Sequence, residues 1–297
     1  MNMHEKAAEF TDYLKQRRFS KASLKTRLTV INRYFDWLDK QGLEAEEVTY
    51  NDLLSYIKQN QRKGVSQRTV QNYIGTVKHY YDCLIEKGVI ETNPTTDIKV
   101  QGVKRKVLYH ILEPHELNGL YNNHNDESLI GKRNKVMLGL LIYQGLKTEE
   151  LAKLEVTDIK LREGKIEVPG GRKSNHRTMR LESHQMMEVY DYILQTRPEI
   201  LNQSGERTNK LIITLTGKSS TTSNLVNSLL RPLKLKYPQL QNAKQIRASV
   251  ITKWLKMYNL REVQVLAGHR FISSTESYQQ NDMEGLKEEI LQFHPLG

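Results

Sequence analysis

Apolar residues recur at three- and four-residue intervals through most of the first ninety positions, a pattern that predicts amphipathic helices. The stretch 24–38 places its apolar set at Leu24, Leu28, Ile31, Phe35 and Leu38. The stretch 66–88 repeats the scheme at Val70, Ile74, Val77, Tyr81 and Leu84. Thr49 and Ser66 are natural helix caps, and Gly42 and Gly88 are natural stops. With two further patterns at 4–17 and 49–64, the chain predicts a bundle of four helices.

The pattern changes after residue 90. The segment ETNPTTDIKVQGVKRKV contains Pro94 and few large apolar residues, which favours an extended linker. We therefore predict a helical domain at 1–98, a linker at 99–108 and a second domain at 109–297.

The second domain mixes two periodicities. Helical patterns alternate with the segment KLREGKIEVPGGRKSNHRTMRL, where apolar and polar residues alternate around Gly164, Gly170 and Gly171. This alternation predicts a small antiparallel sheet with tight turns. The expected fold class is mainly α with a small antiparallel β-sheet, in which a helical domain precedes an α+β domain.

The net charge of the chain indicates a class of binding partner. The 297 residues carry 45 Lys+Arg against 34 Asp+Glu, a formal net charge of +11, so a polyanion such as nucleic acid is a natural partner. A merely basic protein is an equally good interpretation of charge alone. Cys83 stands in an apolar helical pattern as the sole cysteine, which favours a core thiol. No apolar run approaches the ~20 residues of a membrane span, and we expect a cytoplasmic protein.

Exposed faces of the predicted N-terminal helices combine cations and amides, which suit phosphates and base edges. The candidate DNA contacts there are Lys25, Arg27, Arg68, Gln71, Asn72 and Lys78. For any one of them, an ordinary solvated surface residue is the simpler interpretation. In the linker, Lys99, Lys104, Arg105 and Lys106 are able to follow a phosphate backbone.

Signatures of several other chemistries are missing. The sequence has no Cys or His cluster at metal-ligand spacing, no complete phosphate-binding loop and no GxSxG elbow. A metal or nucleotide cofactor is therefore not expected.

Five elements do occur in a distinctive order. They are YQGLKTEEL, PGGRKSNHR, KQIRAS, AGH, and a tyrosine nine residues after that histidine. In this order and spacing the chain resembles the tyrosine recombinase, or phage-integrase, family from residue 1 to about 292. The likeness is to two-domain Xer-like or transposon-encoded members, which join a helical core-binding domain to a catalytic domain. Each motif alone is weak, and their order makes the signal strong.

The resemblance implies a role for each matched position. Tyr278 corresponds to the nucleophile, Arg247 to the second conserved arginine, and His269 to the histidine after glycine. Lys173 corresponds to a hairpin lysine, with Arg172 as a less favoured occupant, and Lys244 takes the first place of an H-or-K-x-x-R box.

Two further positions belong to the same motifs. Lys147 stands where the family has its first conserved arginine, which is the one departure, and Arg177 follows the hairpin turn as a further candidate DNA contact. Lysine keeps the charge of arginine but loses its rigid fork.

The implied reaction joins the tyrosine to a DNA phosphate through a 3′-phosphotyrosyl link, without ATP or a metal ion. Fixed cations stabilise the negative charge that develops on the phosphate oxygens. Hairpin Lys173 is the candidate acid for the leaving 5′ oxygen. Two alternatives stay open: a catalytically impaired DNA-binding or assembly protein, and a type IB topoisomerase-like enzyme.

The resemblance also implies partners. These are a double-stranded recombination site and further copies of the chain, a dimer on one site and a tetramer in the synapse. The tail at 283–293 has apolar residues at helical spacing, and either exchanges between protomers or folds back on its own domain. Integration, resolution, inversion and transposition by a mobile element are all compatible with the sequence.

Overall fold

A computed structural model of the chain describes residues 3–103, 110–171, 174–216 and 222–279. The chain divides into two compact units, Met1–Val107 and Leu108–Gly297. The division falls within the predicted linker at 99–108, and residues 104–109 lie outside the described part of the chain. Among the described helices, none combines the length and the apolar character that crossing a membrane requires.

The first unit is a helical bundle, as predicted. Its helices are α1 (Met3–Gln16), α2 (Lys21–Gln41), α3 (Tyr50–Arg62) and α4 (Gln67–Glu86). The side chains of Ser20, Thr49 and Ser66 cap α2, α3 and α4 by accepting hydrogen bonds from first-turn N–H groups. Gly42 ends α2 in the left-handed region at φ 63°.

Aromatic residues dominate the core of this bundle. Tyr34 and Tyr81 are fully buried and share a hydrogen bond of 2.6 Å between their hydroxyls. Cys83 is a buried free thiol, as the apolar pattern around it predicted. Ile98 and Val100 pack against the same core, so the chain is still attached to the bundle where the linker was predicted to begin.

The second unit surrounds a larger apolar core with helices. These are α5 (Pro114–Asn122), α6 (Leu129–Ile142), α7 (Thr148–Leu151), α8 (Ser183–Asp191), α9 (Arg197–Ser204), α10 (Thr222–Lys236), α11 (Ala243–Met257) and α12 (Leu260–Ala267). A π-helical turn, Tyr192–Thr196, joins α8 to α9. α6 is buried along most of its length, and its second half, residues 136–142, is a continuous apolar run.

The predicted antiparallel sheet is confirmed. It consists of β1 (Ile159–Lys160), β2 (Lys165–Val168) and β3 (Arg177–Arg180), in the order β1-β2-β3. In the register of β2 and β3, Val168 pairs with Arg177, and burial alternates along β3. Arg177 therefore faces the interior of the unit, on the same side of the strand as Met179.

Candidate active site

The short helix α7 places one carboxylate inside the second unit. Leu146 and Leu151 anchor the turn in the core, and Glu150 between them is buried. Its Oε2 accepts the backbone N–H of Lys147 at 2.9 Å, which closes the first turn of α7. The sequence KTEEL thus forms a capped helix start that points a negative charge inward.

Arg177 of β3 neutralises this carboxylate. Its two terminal nitrogens donate to the two oxygens of Glu150, each at 3.0 Å, in a bidentate pair that is almost wholly buried. The prediction of a direct DNA contact by Arg177 does not fit this position. The alternation of β3 turns the guanidinium toward Glu150, where it supports the site from within.

Arg247 of α11 is also buried and rigidly held. One terminal nitrogen donates to the carbonyl of Gly145, and the other donates to the carbonyl of Ala267 at 2.6 Å. Glu150 lies 3.8 Å away as a weaker ionic partner. Burial lowers the pKa of Arg247, while Glu150 and Tyr278 act in the opposite direction. Two backbone carbonyls and His269 thus hold the guanidinium in one orientation.

Gly268 brings the AGH histidine into the same cluster. It ends α12 at φ 64°, and the chain then turns His269 inward, where that residue is 6% exposed. The Nε2 atom of His269 lies 3.2 Å from Arg247, and its Nδ1 atom lies 2.9 Å from the hydroxyl of Thr275. Burial, followed by the charges of Arg247, Lys147 and Arg177, lowers the pKa of His269 to about 4. His269 is therefore neutral at physiological pH.

Tyr278 stands beside this histidine. It belongs to a helical segment at 273–279, called here the tyrosine helix. Its ring stacks on that of His269, with centroids 5.8 Å apart and planes 12° from parallel. The interaction of Tyr278 with Arg247 raises the pKa of that arginine, against the larger effect of burial. The residues matched to nucleophile, histidine and arginine therefore meet, although they are separated along the chain.

The two matched lysines differ in their surroundings. Lys147 is half-buried, and its pKa is lowered by burial and then by Arg247, with Glu150 opposing. Lys244 lies exposed in the first turn of α11, where its backbone N–H donates to the capping side chain of Asn242 at 3.0 Å. Lys147 thus belongs to the buried cluster, and Lys244 lies on the surface.

The predicted hairpin lysine lies outside the described residues, as does Arg172. The residues on either side of them, Gly171 and Ser174, form a β-bridge, and Ser174 also bridges to His269. The N–H of Asn175 donates to the carbonyl of Gly268 at 3.1 Å. The described ends of the β2–β3 loop are therefore attached to the corner that carries His269.

The proposed DNA face of the first unit is largely solvent-exposed. Lys25, Arg68, Gln71, Asn72 and Lys78 are exposed, as a binding surface requires. Arg27 is half-buried, and its guanidinium donates to Thr76 at 3.3 Å and lies over the ring of Phe19.

A groove lies at this surface between α4 and the segment 95–100. It encloses about 240 Å³ and is lined by Gln71, Lys78 and Lys99 among others. Arg105 and its neighbours Lys104 and Lys106 fall outside the described residues, as does the tail at 283–293.

Over the residues that the structure describes, no group of three or more His, Cys, Asp or Glu side chains is placed to hold a metal ion.

Comparison with known families gives this arrangement a context. The model of the phage integrase family matches residues 110–284, and the model of the phage integrase N-terminal SAM-like domain matches residues 7–88. The chain belongs to the phage integrase family. Its class of activity is site-specific DNA recombination, as the resemblance implied.

Full-length relatives agree with the assignment. The chain is 23% identical over 296 residues to the tyrosine recombinase XerC of Bacillus pumilus, an alignment that covers 96% of this chain and 95% of that protein. It is 25% identical over 264 residues to the tyrosine recombinase XerD of Staphylococcus saprophyticus, with 88% and 85% covered.

Solved structures of the family share the fold. A lambda integrase dimer bound to a COC' core site superposes with a TM-score of 0.69 at 15% identity, covering 95% of this chain and 78% of that one. The Tn1549 transposon integrase in complex with circular intermediate DNA superposes with a TM-score of 0.65 at 17% identity, covering 92% and 94%.

Two residues of the cluster are absent from the motif-based prediction. The sequence around Glu150 does indicate a helix start, since an acidic residue three positions after Lys147 is typical of one. Nothing in the sequence indicates a role for Thr275, because its contact with His269 depends on how the tyrosine helix packs. The inward orientation of Arg177 could be read from the alternation of Arg177, Met179 and Leu181.

Proposed function

We propose that this chain cuts and rejoins DNA at specific sites through a 3′-phosphotyrosyl intermediate at Tyr278. The observation that carries the proposal is the meeting of three distant motifs in one cluster. The ring of Tyr278 stacks on His269, and His269 is hydrogen-bonded to Arg247. A surface tyrosine with a purely structural role has no need of buried cations beside it.

The charges of the cluster suit a phosphodiester. Arg247, Arg177 and Lys147 approach one another around a single carboxylate, Glu150. This arrangement leaves an excess of positive charge in a desolvated site, where it attracts an anion far more strongly than it would in water. The phosphate of a DNA strand supplies that anion, and the cations stabilise the further negative charge of the transition state.

Protein groups hold the arginine of the site in a fixed orientation. A guanidinium has five N–H groups. Arg247 already donates to Gly145, Ala267 and His269, so the directions of its remaining N–H groups are set. Fixed donors need little reorganisation during the reaction, and this preorganisation lowers the barrier.

Proton transfer is assigned to residues near this centre. Lys173 is the proposed donor to the leaving 5′ oxygen, with Arg172 as the less favoured occupant of the hairpin position. The pairing of Ser174 with His269 supports that assignment, because it attaches the loop to the site. The exposed Lys244 is proposed to meet DNA directly and assist from the surface.

DNA and further copies of the chain are the proposed partners. The exposed cations and amides of the first unit support DNA binding there. The lambda integrase and Tn1549 integrase structures are protein–DNA complexes, and the former include a dimer and a tetramer. Exchange of the tail at 283–293, a tetrameric synapse and a cytoplasmic location stay predictions.

A nicked suicide substrate tests the reaction. The binding site is first selected from random duplexes, and the selected duplex is then nicked so that the cleaved strand cannot be rejoined. The wild type is expected to form a covalent protein–DNA adduct that Tyr278→Phe abolishes without weakening binding. The matched control is Tyr258→Phe, a change at an exposed tyrosine of the same unit, which should still form the adduct.

The alternatives give different results in the same assay. Specific binding without an adduct at any pH means an impaired DNA-binding protein. Relaxation of supercoiled plasmid without strand exchange means a topoisomerase-like enzyme. No observation in the cluster favours either alternative.

A further inference from the structure

Thr275 is the most deeply buried polar residue of the tyrosine helix. It is 0% exposed, and it lies three residues before Tyr278, one helical turn away. Its hydroxyl is 2.9 Å from Nδ1 of His269, a residue six positions earlier in the chain. A buried hydroxyl in contact with the histidine, on the helix of the nucleophile, connects the two parts of the site.

The direction of these hydrogen bonds follows from the donors available. A guanidinium has N–H groups and no acceptor, so in the contact with Arg247 the Nε2 atom of His269 must accept. In a neutral imidazole the other nitrogen then carries the hydrogen. Nδ1–H of His269 consequently donates to the Thr275 hydroxyl, which makes this the Nδ1–H tautomer.

The surroundings of His269 keep the ring neutral. Arg247 faces it from α11, Arg177 lies nearby on β3, and Lys147 and Glu150 lie at the start of α7. Tyr278 stacks against the ring from the tyrosine helix. With three cations against one carboxylate, a second proton on His269 is disfavoured, and one of two neutral tautomers must be chosen.

The opposite tautomer would disrupt the cluster. With the hydrogen on Nε2, two donors would meet at the 3.2 Å contact between His269 and Arg247. Arg247 would then have to turn away from His269, although two backbone carbonyls hold its guanidinium in place. Since misplacing a catalytic group by about 1 Å lowers a rate by roughly 100-fold, the tautomer bears directly on cleavage.

We propose that Thr275 is a positioning residue of the cleavage reaction, which accepts the Nδ1–H of His269, fixes the orientation of that ring and so links the tyrosine helix to Arg247. The link runs from Thr275 to His269 Nδ1, and from His269 Nε2 to Arg247. This role rests on the proposed function of the site. It assigns Thr275 no contact with DNA.

Three variants isolate the hydroxyl. Thr275→Val keeps the shape of the side chain but removes the acceptor for Nδ1–H, and Thr275→Ser restores it. Thr252→Val is the matched control, because Thr252 is a buried threonine of α11 in the same unit whose hydroxyl has no hydrogen-bond partner. Circular dichroism and thermal melting establish that each full-length variant is folded.

The first measurement is the tautomer itself. In ¹⁵N-histidine-labelled protein, the nitrogen shifts show which ring nitrogen is protonated, and His269→Asn assigns the signal. The wild type, Thr275→Ser and Thr252→Val are expected to show a hydrogen-bonded Nδ1–H. In Thr275→Val the Nδ1–H stays, because Nε2 still accepts from Arg247, but it loses its acceptor and its signal is expected to shift. An Nε2–H wild type, or an unchanged signal in Thr275→Val, overturns the proposal.

The second measurement is single-turnover cleavage of the nicked substrate. Thr275→Val should cleave about 10- to 100-fold more slowly at unchanged DNA affinity, and Thr275→Ser should recover most of that loss. A wild-type rate in Thr275→Val overturns the positioning role. If the wild type forms no adduct while the Nδ1–H signal depends on Thr275 as expected, the hold on His269 is supported and the recombinase proposal fails.

Discussion

Gly268 is the residue at which backbone geometry and the buried ion pair can be tested together. It ends α12 in the left-handed region at φ 64°, a backbone conformation that residues other than glycine rarely adopt. A Cβ atom at this position would lie 2.5 Å from one terminal nitrogen of Arg177. Both terminal nitrogens of Arg177 are bonded to Glu150, so the guanidinium can move only by breaking a buried pair.

The two effects set the size of the change in Gly268→Ala. The left-handed backbone alone costs about 1 to 2 kcal/mol for a residue with a Cβ. Forcing an extra methyl group against packed atoms costs roughly 1 to 3 kcal/mol more. We expect the free energy of unfolding to fall by roughly 2 to 5 kcal/mol in total, a Tm shift of about 2 to 4 °C per kcal/mol for a unit of this size.

Gly205→Ala is the matched control. Gly205 also ends a helix, α9, in the same unit, and its φ is 68° with nothing within 4 Å of an added Cβ. The free energy of unfolding of Gly205→Ala should therefore fall only by the backbone contribution, about 1 to 2 kcal/mol. Urea unfolding of the two variants, followed by tryptophan fluorescence, measures the difference between them.

The ion pair is responsible only for the excess loss in Gly268→Ala. In an Arg177→Met background, where the guanidinium is gone, the additional cost of Gly268→Ala should shrink toward that of Gly205→Ala. Equal losses in the two single variants would refute the reasoning, because the clash with Arg177 would then carry no energy.

Three further predictions follow from the same cluster. Lys147→Arg should retain or increase the rate of single-turnover cleavage, by up to about 100-fold, because arginine binds two phosphate oxygens and keeps its charge at alkaline pH. Abolished cleavage with intact DNA binding would mean that the site is built around lysine. Arg177→Met should lower the free energy of unfolding by about 3 to 5 kcal/mol, since it leaves the Glu150 carboxylate buried without its bidentate partner. Urea unfolding measures this loss, and a value below about 1 kcal/mol would contradict the prediction. The lowered pKa of His269, about 4 against an ordinary value of 6.5, means that the unfolded chain binds the proton more tightly. Its contribution to stability is therefore complete above pH 6.5 and is lost as the pH falls toward 4. Between pH 7.5 and 4.5 the wild type should lose roughly 2 to 3 kcal/mol more than His269→Gln, and parallel pH profiles would speak against a buried neutral histidine.

Much of the fold follows from local patterns. The helices of the first unit and the three-stranded sheet occur where apolar periodicity, caps and glycines predicted them. The caps Ser66 and Thr49 and the stop at Gly42 act through hydrogen bonds within a few residues, so neighbouring sequence is enough to define them. The order of the motifs also identified the family before any contact was known.

The roles of individual charged residues are less accessible from such patterns. Arg177 was assigned to DNA on charge and position in a motif, yet it lies in the interior, paired with Glu150. Lys147, the expected weak point, is half-buried, and burial and the charge of Arg247 lower its pKa. A charged side chain on a strand next to a turn can face solvent, bind DNA or pair with a buried residue, and only the contacts in the fold show which of these it does.

The sequence by itself therefore determined the helical and β segments and the family, because these depend on spacing and on residue type. Only the tertiary structure decided which residues touch. The pairing of Arg177 with Glu150 spans 27 residues, and that of Arg247 with Gly145 spans 102. The two ring nitrogens of His269 contact Arg247 and Thr275 at once. Such contacts arise when helices and strands pack around a shared core, and no local pattern of hydrophobic and polar residues encodes them.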